Sequence, residues 1–194
     1  GPNYNLPWEL FDAAGRAAAL ATAHAAAAEA RARADGVTPA ERALIEALAA
    51  RYPQAVPGDD MAGWDLAHAA AMRDVQRRFP DDLDIRALTA EALMQPTPWR
   101  MWDLATGRPA EGAATAEVQA LLEEALERDP QAMAHPGLLH FYIHLMEMSP
   151  TPERALRAEP DLRDNLSALR PPHAQCPHRT PARHPPHRPP PPPP

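Results

Sequence analysis

Two imidazoles and a carboxylate recur at helical spacing in the segment His135-Pro-Gly-Leu-Leu-His-Phe-Tyr-Ile-His-Leu-Met-Glu-Met-Ser-Pro. At about 100° per residue, His144 falls near 40° and Glu147 near −20° from His140, so all three share one narrow stripe of a helix. Histidines at i and i+4 can ligate a single metal ion, and a carboxylate can supply a third ligand. The zinc-protease pattern, however, places Glu directly after its first His. Phe141 stands there in this chain. The competing reading is a hydrogen-bonded or groove-facing polar stripe on a packed helix, which needs no cofactor. Trp99 and Trp102 form a second candidate, because aromatics in a proline-bounded insert can anchor a partner or plug the insert onto its neighbours.

Other chemistry finds little footing. Ser149 and Ser167 are the only serines, and neither lies in a strand–turn–helix nucleophile pattern. Gly107-Arg108-Pro109 is a turn, without the Gly-Lys-Ser/Thr ending of a phosphate loop. His24 and His68 stand alone on alanine-rich stretches. Asp81, Asp82 and Asp84 read as helix-start charges favoured by the dipole. Cys176 is the single cysteine, so neither an internal disulfide nor a cysteine zinc site is possible.

The elements that must position these residues are helices. Ala, Leu, Glu and Arg dominate and β-branched residues are scarce, a balance that favours helix over sheet. The patterns predict helices from about Glu9 or Phe11 to Ala34, from Pro39 to the stop at Pro53, and from Asp59 or Asp60 to Phe79. Three more are predicted over Leu83–Met94, Thr115–Arg128 and Pro136–Met148, with a last one starting at Thr151-Pro152-Glu153. Thr38-Pro39-Ala40-Glu41 combines an N-cap Thr, a proline at the first helical position and the Glu of a capping box. Residues 95–114 form an insert punctuated by Pro96 and Pro98. Arg51-Tyr52-Pro53, Arg78-Phe79-Pro80 and Arg128-Asp129-Pro130 close three helices with a similar phrase, a degenerate repetition rather than a strict period.

The charge argues against a nucleic-acid partner. All 19 basic residues are arginine, 16 of them before Pro171 against all 26 acids, which leaves −10 on residues 1–170. No apolar run reaches the roughly 20 residues of a membrane-spanning helix. Residues 171–194 carry 12 of the 26 prolines and four of the nine histidines, the composition of a disordered or polyproline-like tail.

Three stretches resemble a group within the tetratricopeptide-repeat superfamily: Gly1-Pro-Asn-Tyr-Asn with Pro7-Trp8-Glu9; Glu91-Ala-Leu-Met with Thr97-Pro-Trp and Trp102-Asp-Leu-Ala-Thr-Gly-Arg-Pro-Ala; and the His135–Pro150 segment. The likeness covers about residues 1–158. It implies an all-α fold, an α-solenoid of antiparallel helix pairs, with residues 159–194 as a separate tail. It also implies helices missing on both sides and a last segment, including Pro160, translated out of frame. The function it implies is a scaffold for an unidentified protein or peptide, without cofactor. The alternatives are a metal-dependent enzyme using His140, His144 and Glu147, and a truncated product without activity of its own. Compartment is open, with cytoplasm as the default.

Overall fold

A computed structural model describes residues 2–157. The tail and its frame therefore lie outside the described residues, as does the expected boundary at residue 158. Among the described residues six α-helices run in order: α1 (Ala13–Ala32), α2 (Pro39–Arg51), α3 (Met61–Arg78), α4 (Leu83–Met94), α5 (Thr115–Arg128) and α6 (Pro136–Met146). Short 3-10 turns occupy Trp8–Leu10, Ala132–Ala134 and Pro152–Arg157.

Every helix start but that of α5, which follows Ala114 without a side-chain cap, is set by a polar side chain or by proline. Thr38 Oγ1 accepts from Glu41 N–H while the Glu41 carboxylate receives Thr38 N–H at 2.8 Å, the full capping box. Asp12 and Asp60 cap α1 and α3 in the same way, each accepting from a glycine three residues on. At Gly63 the aspartate lies so close that a Cβ would stand 2.2 Å from Asp60 Oδ2. Asp82 caps α4 through Ile85 N–H. The Asp12 cap places the start of α1 at Ala13, later than the residue pattern predicts, because Pro7 to Leu10 turn as a 3-10 segment.

Two of the three closing phrases share one geometry, whereas Asp129 after α5 is extended at −115°, 112°. Tyr52 and Phe79 follow α2 and α3 with backbone angles of −128°, 63° and −132°, 63°. Prolines follow both, and proline disfavours the helical region for the residue before it. In each case the preceding arginine lies over the aromatic ring, at 5.8 Å for Arg51 and 5.3 Å for Arg78.

Every helix packs on its successor in the chain, and α4 also packs on α6. The core follows this order in three clusters. Trp8, Leu20, Ala27, Tyr52 and Met61 gather around α1, whereas Ala43, Ala47, Met72, Val75 and Ile85 join α2, α3 and α4. The largest cluster joins α4, α5 and α6 through Leu93, Met94, Val118, Leu122, Leu138 and Leu145. Burying each of these larger side chains stabilises the fold by about 1.5–3 kcal/mol.

The insert departs from a purely helical reading. Trp102–Asp103 and Arg108–Pro109 pair as two antiparallel strands, with Trp102 opposite Pro109. Gly107, at φ +66°, closes their turn by donating to Asp103 O, a conformation that glycine adopts without steric cost. The segment starting at Pro152 is a 3-10 turn, and α6 stops at Met146 rather than Met148.

Candidate binding site

The α6 stripe is present but turns inward at one end. His140 is exposed and its ring lies 4.5 Å from that of His144, nearly perpendicular. His144 is engaged on both ring nitrogens: Nδ1 lies 3.0 Å from Glu147 Oε1, and Nε2 lies 3.3 Å from Asn5 Nδ2. If Asn5 donates, Nε2 is the acceptor and the Nδ1–H goes to Glu147. Tyr4, 2% exposed, packs on the His144 ring at 5.2 Å. Burial raises its hydroxyl pKa, against the hydrogen bond with the Trp99 backbone. Partial burial of its ring lowers the pKa of His140, as does the neighbouring His144, while Glu147 opposes both. Among the described residues no group of three His, Cys, Asp or Glu is placed to hold a metal ion.

The two tryptophans separate in role. Trp102 Nε1–H donates to Leu145 O at 2.6 Å and so fastens the insert to α6. Trp99 keeps 38% of its surface exposed and makes an edge contact with Tyr4, at φ +55°. The structure thus brings His140, His144, Glu147 and Trp99 around the loop of Tyr4 and Asn5, and gives Trp102 to packing.

A second constellation sits where α2, α3 and α4 meet. Arg51, Asp65 and His68 are each 7% exposed. Arg51 is the last residue of α2, while Asp65 and His68 are three apart on α3 and therefore share a face. Arg51 Nη2 donates to Pro2 O at 2.9 Å, and its Nε lies 3.9 Å from Asp65 Oδ1. Burial pushes Asp65 up to about 6 against the pull of Arg51. Burial, with Arg51 adding to it, takes His68 down to about 4. Burial also raises Glu91, again opposed by Arg51. At neutral pH His68 is therefore an uncharged imidazole beside a guanidinium.

Arg51, His68 and Glu91 line a cavity of about 240 Å³ whose other walls are Leu44, Ile45, Leu48, Met72 and Leu88. Arg51 Nε and His68 Nδ1 are buried without a hydrogen-bond partner. Apolar walls with a few convergent polar groups are the usual make-up of a binding pocket. The residue pattern treats His68 as isolated, and the Asp65/His68 spacing was the one local sign of this cluster. His24, also read as isolated, lies with Nδ1 2.8 Å from Tyr52 O and ties α1 to the end of α2.

No family model matches the chain, and no curated protein or solved structure does either. Fold and site define a class: a mostly helical protein with a buried ionisable cluster at the junction of three helices. No helix among the described residues is long and apolar enough to cross a membrane.

Proposed function

We propose that this chain is a tetratricopeptide-like helical scaffold that binds a protein or peptide partner. The observation that carries the reading is the apolar-walled cavity at α2, α3 and α4. Leu44, Leu48, Met72 and Leu88 offer a seat for an apolar side chain, and Arg51, His68 and Glu91 offer hydrogen bonds beside it. Two further features support a repeat architecture. Successive helices pack on one another in chain order, and the Arg-aromatic-Pro phrase closes α2 and α3 with matching backbone angles. An array of this kind buries its helix faces only by stacking and leaves one side of the stack for ligands.

Selection of a random-peptide display library on the full chain tests the reading. Leu88 is 42% exposed, so Leu88→Glu places a charge at the cavity mouth without opening the core. Enriched peptides should bind this variant at least about tenfold more weakly, the effect of about 1.4 kcal/mol at a contact. Failure to enrich any peptide, or enrichment indifferent to Leu88→Glu, overturns the proposal. The metal-enzyme alternative has less support, because His144 is already engaged by Glu147 and Asn5.

A further inference from the structure

Each of three helices brings one polar side chain to the α2–α3–α4 cavity, next to apolar ones at helical spacing. Leu44, Leu48 and Arg51 share a face of α2, His68 and Met72 share one of α3, and Leu88 and Glu91 share one of α4. Arg51 and His68 are each 7% exposed. Arg51 Nε and His68 Nδ1 are sealed, so no ligand touches them. The other polar atoms differ. Arg51 Nη1, His68 Nε2 and the Glu91 carboxyl oxygens keep accessible surface and have no hydrogen-bond partner among the described residues. Arg51 Nη2 is taken by Pro2 O at 2.9 Å, which fixes the guanidinium and leaves Nη1 as its open donor.

These open atoms restrict the chemistry of an occupant. Arg51 is faced by Asp65 on its sealed side and by Glu91 in the cavity wall, so no positive surplus awaits an anion. A cation would meet the guanidinium, and like charges placed together are costly. What suits both signs is a neutral group that donates and accepts at once. A serine or asparagine side chain would reach the polar atoms but leave the apolar walls uncovered. Leucine or phenylalanine would cover the walls and leave the open groups without a bond. A cavity of about 150 Å³ accepts benzene, so about 240 Å³ has room for a ring with a substituent at each end.

We infer that this cavity receives a para-hydroxyphenyl group, presented as a tyrosine side chain of the bound partner. The ring packs among Leu44, Leu48, Met72 and Leu88; its O–H donates to Glu91 and its oxygen receives Arg51 Nη1–H. His68 Nε2 is a further partner whose role its tautomer sets. Tyrosine joins an apolar body to a polar tip, which is why it is enriched at interfaces. The inference rests on the scaffold reading and names the side chain that the cavity selects.

The test titrates the full chain with 4-methylphenol, toluene, 4-methylbenzoate and 4-methylbenzylammonium, followed by the Met72 methyl resonance, assigned with Met72→Leu. 4-Methylphenol should bind about tenfold or more tightly than toluene, as expected for hydrogen bonds to charged groups, and more tightly than either charged analogue. Glu91 holds no other residue, so Glu91→Met should reduce the preference for 4-methylphenol over toluene several-fold, a ratio that a general loss of stability leaves unchanged. In peptides enriched on the chain, replacing tyrosine by phenylalanine should weaken binding by a similar factor. Equal binding of 4-methylphenol and toluene, tighter binding of a charged analogue, or a ratio indifferent to Glu91→Met would overturn the inference. Peptides that enrich, respond to Leu88→Glu and need no tyrosine would overturn it while the scaffold reading stands. Binding of 4-methylphenol as expected with no peptide enriched would overturn the scaffold reading and, with it, the tyrosine as the source of the phenol.

Discussion

Arg51 Nε stands 3.9 Å from Asp65 Oδ1, beyond hydrogen-bond reach, although both residues are only 7% exposed. The pair thus keeps its Coulombic attraction without the hydrogen bond that normally accompanies a buried ion pair. Asp65 is the consequence: the folded protein favours its neutral form up to about pH 6.

The first prediction follows from the opposite shift of His68. Between an ordinary carboxyl pKa and about 6, the folded state holds a proton on Asp65 that the unfolded state has released, so this group's contribution to stability falls as pH rises. Between about 4 and an ordinary imidazole pKa, the unfolded state protonates His68 and the folded state does not, so its contribution rises with pH. Each is worth about 3 kcal/mol across its window, and the two largely cancel between pH 4 and 6. Urea unfolding should therefore show little net pH dependence from this pair. Asp65→Asn should expose the His68 slope, with stability increasing from pH 4 to 6.5. His68→Gln should expose the reverse slope. Parallel pH profiles for both variants would contradict the assignment.

A second prediction concerns His140. Burial and the adjacent His144 both hold its pKa below that of an ordinary histidine, and Glu147 pulls the other way. Its NMR titration midpoint should rise in His144→Asn and fall further in Glu147→Gln. A midpoint indifferent to both changes would mean that the stripe is not electrostatically joined.

Much of this fold was readable from local chemistry. Thr38, Asp60 and Asp82 announced their helices because caps are made between residues three apart, and Leu83–Met94 and Thr115–Arg128 kept the bounds that their apolar spacing implied. The short strand pair was hidden, since Trp102 and Arg108 resemble loop residues until Gly107 turns the chain. The site was legible in part. His140, His144 and Glu147 share a stripe as their spacing requires, yet nothing nearby in the chain indicates that Tyr4 and Asn5 reach His144. Arg51, Asp65 and Glu91 come from three helices, and only tertiary packing could show that they meet.

The capping box at Thr38 supplies a third prediction. Thr38 Oγ1 receives Glu41 N–H and Glu41 receives Thr38 N–H. Thr38→Ala removes one half and leaves the other without its orienting hydroxyl. Stability should fall by about 1 kcal/mol, the usual cost of losing a threonine cap. Glu41→Ala should lower it less, and the double variant should fall short of the sum, because the two bonds support each other. Strict additivity in chemical denaturation would show that they act separately.

The fourth prediction turns on the insert. Trp102 Nε1–H donates to Leu145 O on α6, and Thr115 Oγ1–H donates to Met101 O, so residues 101 and 102 are tied to both neighbouring helices. Leu145 is fully buried, so its carbonyl loses a bond that solvent replaces poorly once the indole is gone. Trp102→Phe should therefore cost about 1–3 kcal/mol, more than the net worth of an exposed hydrogen bond. If the tie also fixes the insert on α6, amide exchange should accelerate at Ala110, whose N–H bonds to Met101 O beside the short strands. The capped start of α4 should keep its protection. Accelerated exchange spread evenly over α1 to α6 would instead mean that the substitution lowers global stability without releasing the insert.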